Sequence, residues 1–184
     1  LASRILGKAA LKAGYEVRTS ETIGMAQREG SVISQVRFGD DLTGYGPLIP
    51  ANEADLLISF ELAETVKGIE KLKDSGTVVF NSNQIIPVTV SVGDSNYQRE
   101  EITAYLKDNV QNIYEIDATA EAKKAGSYKS LNVVMLGAAA GLDELGLENE
   151  LLLETILELV PAQTKELNQA AFEQGIQLSD KILT

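Results

Sequence analysis

The sequence predicts an α/β fold: a largely parallel, mixed sheet with helices on both faces, giving three layers α/β/α. Three observations carry the prediction. Two continuous apolar runs, 54–61 (ADLLISFE) and 77–83 (TVVFNSN), have the composition of strands covered on both sides. Segments of helical periodicity alternate with them, which demands crossover connections and therefore parallel neighbours. Between residues 18 and 39 two strand-like segments meet through a loop with no helix, and a connection of that kind introduces an antiparallel element.

Taken in order, residues 1–14 have apolar side chains at 1, 5, 6, 9, 10 and 13, with Gly14 in the C-terminal capping position of a helix. Because Leu1 already lies inside this helix, a strand and turn are expected to precede it. Residues 15–20 and 31–39 alternate as strands. In the second of these, Val32, Ser34, Val36 and Phe38 fall on one face, and Ile33, Gln35 and Arg37 on the other. Residues 40–52, with Gly44, Gly46 and Pro47, form a loop. After the strand at 54–61, an amphipathic helix is expected over 62–76, ending at Gly76. Strand 77–83 follows, and then a strand at 86–93 that Pro87 pushes towards its start or an edge.

The second half reads as a helix at 96–109, a strand at 113–118 and a short helix at 119–126. It continues with a helix at 130–146 that is apolar nearly all round, and helices at 148–161 and 162–175 separated by Pro161. No repeat, linker or low-complexity stretch interrupts residues 1–184, which read as a single domain.

Composition excludes several chemistries. The 184 residues are 44% apolar and 23% charged, ordinary for a globular protein. They contain no cysteine and no histidine. Thiolate ligation of an iron–sulfur cluster is therefore impossible, and the usual general base near neutral pH is missing. A net charge of −11 repels nucleic acid. No apolar run approaches the roughly 20 residues of a membrane span, and no secretory signal appears, so a cytoplasmic protein is expected.

The candidate sites are few. The polar stretch SETIGMAQREGS at 20–31 is either a contact or ligand loop between strands or a plain solvated connection capped by Ser20 and Thr22. Composition alone favours the plain connection. Glu148, Glu150, Glu154 and Glu158 make an acidic helix edge, best read as a solvated face, and Asp40–Asp41 is equally weak as a metal site. The GAAAG run at 137–141 lets another backbone approach closely, and the domain's own sheet is favoured over another subunit as that neighbour. There is no P-loop, no G-x-S-x-G elbow and no G-x-G-x-x-G turn.

The loop carries a resemblance. SETIGMAQREGSVISQVRFG resembles the S-E-T-H-G-M-x-Q-R-G-G-S-V-x-S-x-V-R-x-G segment of the gamma-type domain of 2-oxoacid:ferredoxin oxidoreductases. The opening LASRILGKAALKAGYEVRTSE is also similar. PLIPANEADLLISFE, SLNVVMLGAAAGL and VPAQTKELNQAAFEQG are most similar to the indolepyruvate branch of that family. Ile23 stands where the family has His, and Glu29 where it has the first Gly of a pair.

The resemblance implies a Rossmann-like fold and a cofactor-free subunit. Thiamine diphosphate, Mg2+ and [4Fe-4S] clusters would sit in a larger partner subunit, with coenzyme A as cosubstrate and ferredoxin served through the holoenzyme. The reaction implied is oxidative decarboxylation of an aryl 2-oxoacid to an acyl-CoA, with pyruvate, 2-oxoglutarate and branched-chain relatives as alternatives. Ser20, Glu21, Gly24, Gln27, Arg28 and Gly30 become the expected contact residues near the partner's cofactor. Arg28 is the expected anion binder, and none of the six is expected to be catalytic. A homodimer of the isolated chain is a further expectation. Two competing classes are a stand-alone coenzyme A or nucleotide binding protein and a small hydrolase using carboxylates and Tyr, the latter weakened by the lack of a nucleophile–base pair.

Overall fold

The structure, a computed structural model, describes residues 1–24, 32–83 and 99–183. The strand expected at 86–93 lies outside them. Helix α1 (Ala2–Lys12) leads into strands β1 (Glu16–Ile23) and β2 (Val32–Gly39). Strand β3 (Ala54–Ser59), helix α2 (Leu62–Gly68) and strand β4 (Leu72–Asn81) follow. Then come α3 (Arg99–Asn109), β5 (Asn112–Ile116), α4 (Ala118–Lys124), α5 (Leu131–Gly141), α6 (Asn149–Leu159) and α7 (Lys165–Leu183).

Strands β3, β4 and β5 form a parallel sheet in that order, so β4 is the central strand. Its alternating side chains serve two cores. Val79 joins Ile5, Leu136, Ile156 and Phe172 on one face, where α1, α5, α6 and α7 pack. Val78 and Phe80 meet Leu62 of α2 and Leu106 of α3 on the other. Helices on both faces make the three layers, and burial on both faces is why the run at 77–83 is continuously apolar. At the end of β4, fully buried Asn81 donates to Phe60 O (3.2 Å) and to Thr119 Oγ1 (3.0 Å) and accepts from Thr119 N (3.3 Å), tying the strand to the first turn of α4.

Strands β1 and β2 pair antiparallel, from Glu16↔Gly39 out to Ile23↔Val32. Among the described residues they form their own two-stranded sheet rather than extending the parallel one. Helix α1 packs against both strands of this hairpin. Ile5, Ala9 and Ala10 turn into the main core, while buried Gly7 lies against Val17 and Thr19 of β1. Gly14, at φ +93°, closes α1 as its spacing predicts.

Three elements differ from the sequence expectation. The helix expected over 62–76 stops at Gly68, and a 3-10 turn at Ile69–Lys71 hands the chain to β4. Asn52 N and Glu53 N donate to Glu70 O and Lys71 O, and Leu72 pairs with Ala54, so sheet pairing captures residues that helical spacing claimed. Ile69 and Leu72 reach the same apolar cluster as Leu62, which is why the periodicity misled. The GAAAG face of α5 meets α7 of the same chain, not the sheet and not another subunit. A Cβ on Gly137 would stand 2.2 Å from Phe172 O, and one on Gly175 2.2 Å from Val134 O. Gly175 therefore marks a helix crossing instead of a helix end, and α7 runs on to Leu183.

The acidic edge of α6 also has a structural task. Lys8 Nζ lies 2.7 Å from Glu158 Oε2, and Lys12 Nζ lies 2.5 Å from Glu158 Oε1 and 3.0 Å from Glu154 Oε1, which fastens α1 to α6. Hydrogen bonds from Lys12 and then Lys8 pull the Glu158 carboxyl from its ordinary 4.5 down to about 2. Lys12 is raised above its ordinary 10.5, first by Glu158 and then by Glu154. The signs follow from linkage. The Glu158 contribution is present above pH 4.5 and is lost as pH falls from there towards 2; the Lys12 contribution is present below 10.5 and is lost as pH rises through its raised value. Solvent and salt screen these exposed pairs. In thermal melts from pH 5 to pH 2, Glu158→Gln is expected to lose less stability than the wild type, with the gap closing at high salt.

Candidate subunit interface

The hairpin β1–β2 projects from the body, and two supports hold its base. On one face Val17 and Thr19 lie against Gly7 of α1, and the Tyr15 and Phe38 rings meet at 5.7 Å. Further out on this face, Glu21 Oε1 accepts hydrogen bonds from Ser3 Oγ (3.0 Å) and Ser34 Oγ (3.2 Å). On the other face the 40–52 loop folds back. Leu42 N donates to Glu16 Oε2 (3.3 Å) and Ile49 N to Gln35 Oε1 (2.5 Å). Arg37 reaches Glu53 Oε2 at 3.4 Å and stacks over the Tyr45 ring at 4.9 Å. Asp41 accepts from Thr43 within this loop, which holds its carboxyl below the usual range.

Beyond these ties the hairpin is bare. Residues 21–24 and 32–34 are all exposed, including Ile23 at 69%, Val32 at 58% and Ile33 at 45%. Ile23 and Val32 are directly cross-strand, whereas Ile33 points to the opposite face beside Thr22. Glu21 is the sole charge in 20–24 and 32–35, on a chain of net charge −11. A two-stranded ribbon with apolar side chains on both faces is marginal in water alone. Such an end suits an apolar protein surface.

Of the six residues singled out in the sequence, Ser20 and Glu21 lie on β1, and Gly24 follows directly after it. Ser20 is half-buried and Glu21 is turned to two serines. Gln27, Arg28 and Gly30 lie outside the described residues. The sequence reading did not single out the exposed Ile23–Val32 pair, although Ile23 was visible as a departure from the family pattern.

Other concavities offer little chemistry. One, of about 470 Å³, is lined by Tyr15, Asp143, Glu148, Asn149 and Glu150 with no cation, a poor host for an anionic nucleotide or thioester. A second of about 300 Å³ includes Asn52, Glu70, Lys73 and Tyr105. Among the described residues no group of three or more carboxylates is placed to hold a metal ion, and no helix is long and apolar enough to cross a membrane.

Residues 1–178 match the family model described as pyruvate ferredoxin/flavodoxin oxidoreductase. The chain belongs to this family. Within the pyruvate ferredoxin/flavodoxin oxidoreductase family it is 39% identical over 184 residues to the indolepyruvate oxidoreductase subunit IorB of Thermococcus kodakarensis, covering 99% of this chain and 90% of the relative. It is 40% identical to IorB of Pyrococcus horikoshii with the same coverage. The fold of the family recurs in the gamma subunit of a keto/oxoacid ferredoxin oxidoreductase from Geobacter sulfurreducens, at TM-score 0.69 and 22% identity over 98% of this chain and 90% of that one. It recurs again in the pyruvate oxidoreductase subunit PORC of Thermotoga maritima, at TM-score 0.67 and 19% identity over 96% and 87%.

Proposed function

We propose that this chain is the small, cofactor-free subunit of an indolepyruvate-type 2-oxoacid:ferredoxin oxidoreductase acting in the cytoplasm. The reaction joins an aryl 2-oxoacid and coenzyme A, releases carbon dioxide and passes two electrons to oxidised ferredoxin, leaving an acyl-CoA. Thiamine diphosphate with Mg2+ and [4Fe-4S] clusters in the larger subunit supply the carbanion and redox chemistry. The single observation carrying this reading is 39–40% identity along 99% of the chain to subunits named for indolepyruvate. The amino-acid inventory agrees with it: with no Cys, the chain has no thiolate for a cluster.

This chain's own share is assembly. The hairpin end, with Ile23, Val32 and Ile33, seats against the larger subunit and helps to exclude water from its site. The adjoining residues Ser20, Gly24, Gln27, Arg28 and Gly30 line the same contact near the cofactor, with Arg28 as its anion binder. Deprived of the partner, two copies pair through this exposed surface.

The test is co-expression with the larger subunit, followed by purification and measurement of 2-oxoacid-dependent ferredoxin reduction. The expected result is a complex active on indolepyruvate, with no turnover by the small chain alone. A preference for pyruvate, 2-oxoglutarate or a branched-chain 2-oxoacid would move the protein to another branch of the family. Turnover or bound iron in the isolated chain would overturn the reading.

A further inference from the structure

We infer that Glu21 is a positioning residue, whose carboxylate fixes the angle at which the hairpin end is presented to the larger subunit by bonding Ser3 of α1 and Ser34 of β2 at once. This inference rests on the hairpin being the subunit contact. The geometry behind it is asymmetric. Helix α1 is rooted in the core through Ile5 and Ala9, both fully buried, and Ser3 stands less than a turn from Ile5. Outward of Thr19 the hairpin buries little on its α1 face, and the Ser3–Glu21 bond is the last described tie between that face and α1. The Ser34 bond joins the second strand to the same oxygen, so both strands are referenced to one fixed helix turn.

Glu21 makes no ion pair among the described residues; nearby Arg18 pairs with Glu16 instead. Among the described residues this carboxylate is held by two hydroxyls, and there it is an acceptor serving geometry. The sequence offered Glu21 as a direct contact for a partner, but Oε1 is committed inside the chain. What the larger subunit meets is the next cross-strand pair on the same face, Ile23–Val32, whose placement depends on that tie.

The experiment compares five variants in the assembled enzyme, reading the dissociation constant between subunits and turnover at saturating small subunit. Positioning predicts that Glu21→Ala and the double variant Ser3→Ala/Ser34→Ala each weaken association roughly tenfold, as loss of an interface-ordering contact does. Combining them should add little, because they remove the same bonds. Glu21→Gln keeps an oxygen acceptor and should restore near-normal association. If Glu21 instead touches the partner through its charge, Gln will be as poor as Ala and the serine pair will be silent, which overturns the inference. Ile23→Asp separates the two levels. If it weakens assembly while Glu21→Ala does not, the positioning role is wrong and the contact stands. If Ile23→Asp assembles normally, the contact itself is wrong.

Discussion

Gly175→Ala is expected to lower the Tm of the isolated chain by about 4–8 °C, and Gly137→Ala by a similar amount. The added methyl at 175 would lie 2.2 Å from Val134 O and 2.8 Å from Ala138 N, both backbone atoms of α5 that cannot swing aside. Overpacking of this kind costs about 3 kcal/mol, at the upper end of the usual range. Ala gains about 1 kcal/mol over Gly in a helix interior. The contact outweighs the propensity, leaving a net loss of about 2 kcal/mol, which converts at roughly 2–4 °C per kcal/mol for a chain of this length. Differential scanning calorimetry decides the matter. A Tm that rises, as propensity alone dictates, would mean the two helices do not touch at these glycines.

Val32→Asp is expected to weaken subunit association by more than roughly 100-fold, since seating an unpaired carboxylate in an apolar contact costs about 3 kcal/mol or more. The isolated chain should barely register the change, by less than about 1 kcal/mol, because Val32 is 58% exposed and only strand propensity is at stake. That separation between assembly and stability is the signature of a docking residue. The control is Leu11→Asp: Leu11 is equally apolar and 61% exposed, but it lies on α1 near the hairpin's base. Sedimentation or titration calorimetry with the larger subunit should find the control unaffected. Equal losses in both variants would point to nonspecific repulsion between acidic chains.

How far the sequence could be read depended on whether a segment's pattern had one physical cause. The run at 77–83 is apolar because β4 is covered on both faces, so strand and burial were both legible. In 62–76 two causes coincide: Ile69 and Leu72 keep helical spacing from Leu62 yet reach the same core from a turn and a strand. Strand β1 extends three residues past the expected 15–20 because Glu21, Thr22 and Ile23 are exposed there, and exposed strand residues carry no alternation. The small residues of α5 announced a close neighbour but not which one, since nothing local to 137–141 encodes α7.

The proposed interface was the least legible part. Its location came from the resemblance of the loop, not from the composition of 20–31, which favours a plain connection. Glu21 is joined to partners 18 and 13 positions away, so no window over the loop could reveal its tie to Ser3. Ile23 read as part of the loop and Val32 as an ordinary strand residue; their cross-strand pairing and exposure are visible only in the structure.

The clamp between α1 and α6 joins residues 142 and 146 positions apart, and this has a consequence during synthesis. At the usual ribosomal pace of about 5–20 residues per second, roughly 7–30 s pass between the emergence of Lys12 and that of Glu158. For most of that interval Ile5, Ala9 and Ala10 have neither α5 nor α6 to cover them. The apolar face of the nascent first helix therefore waits for the second half of the chain before it becomes part of a core.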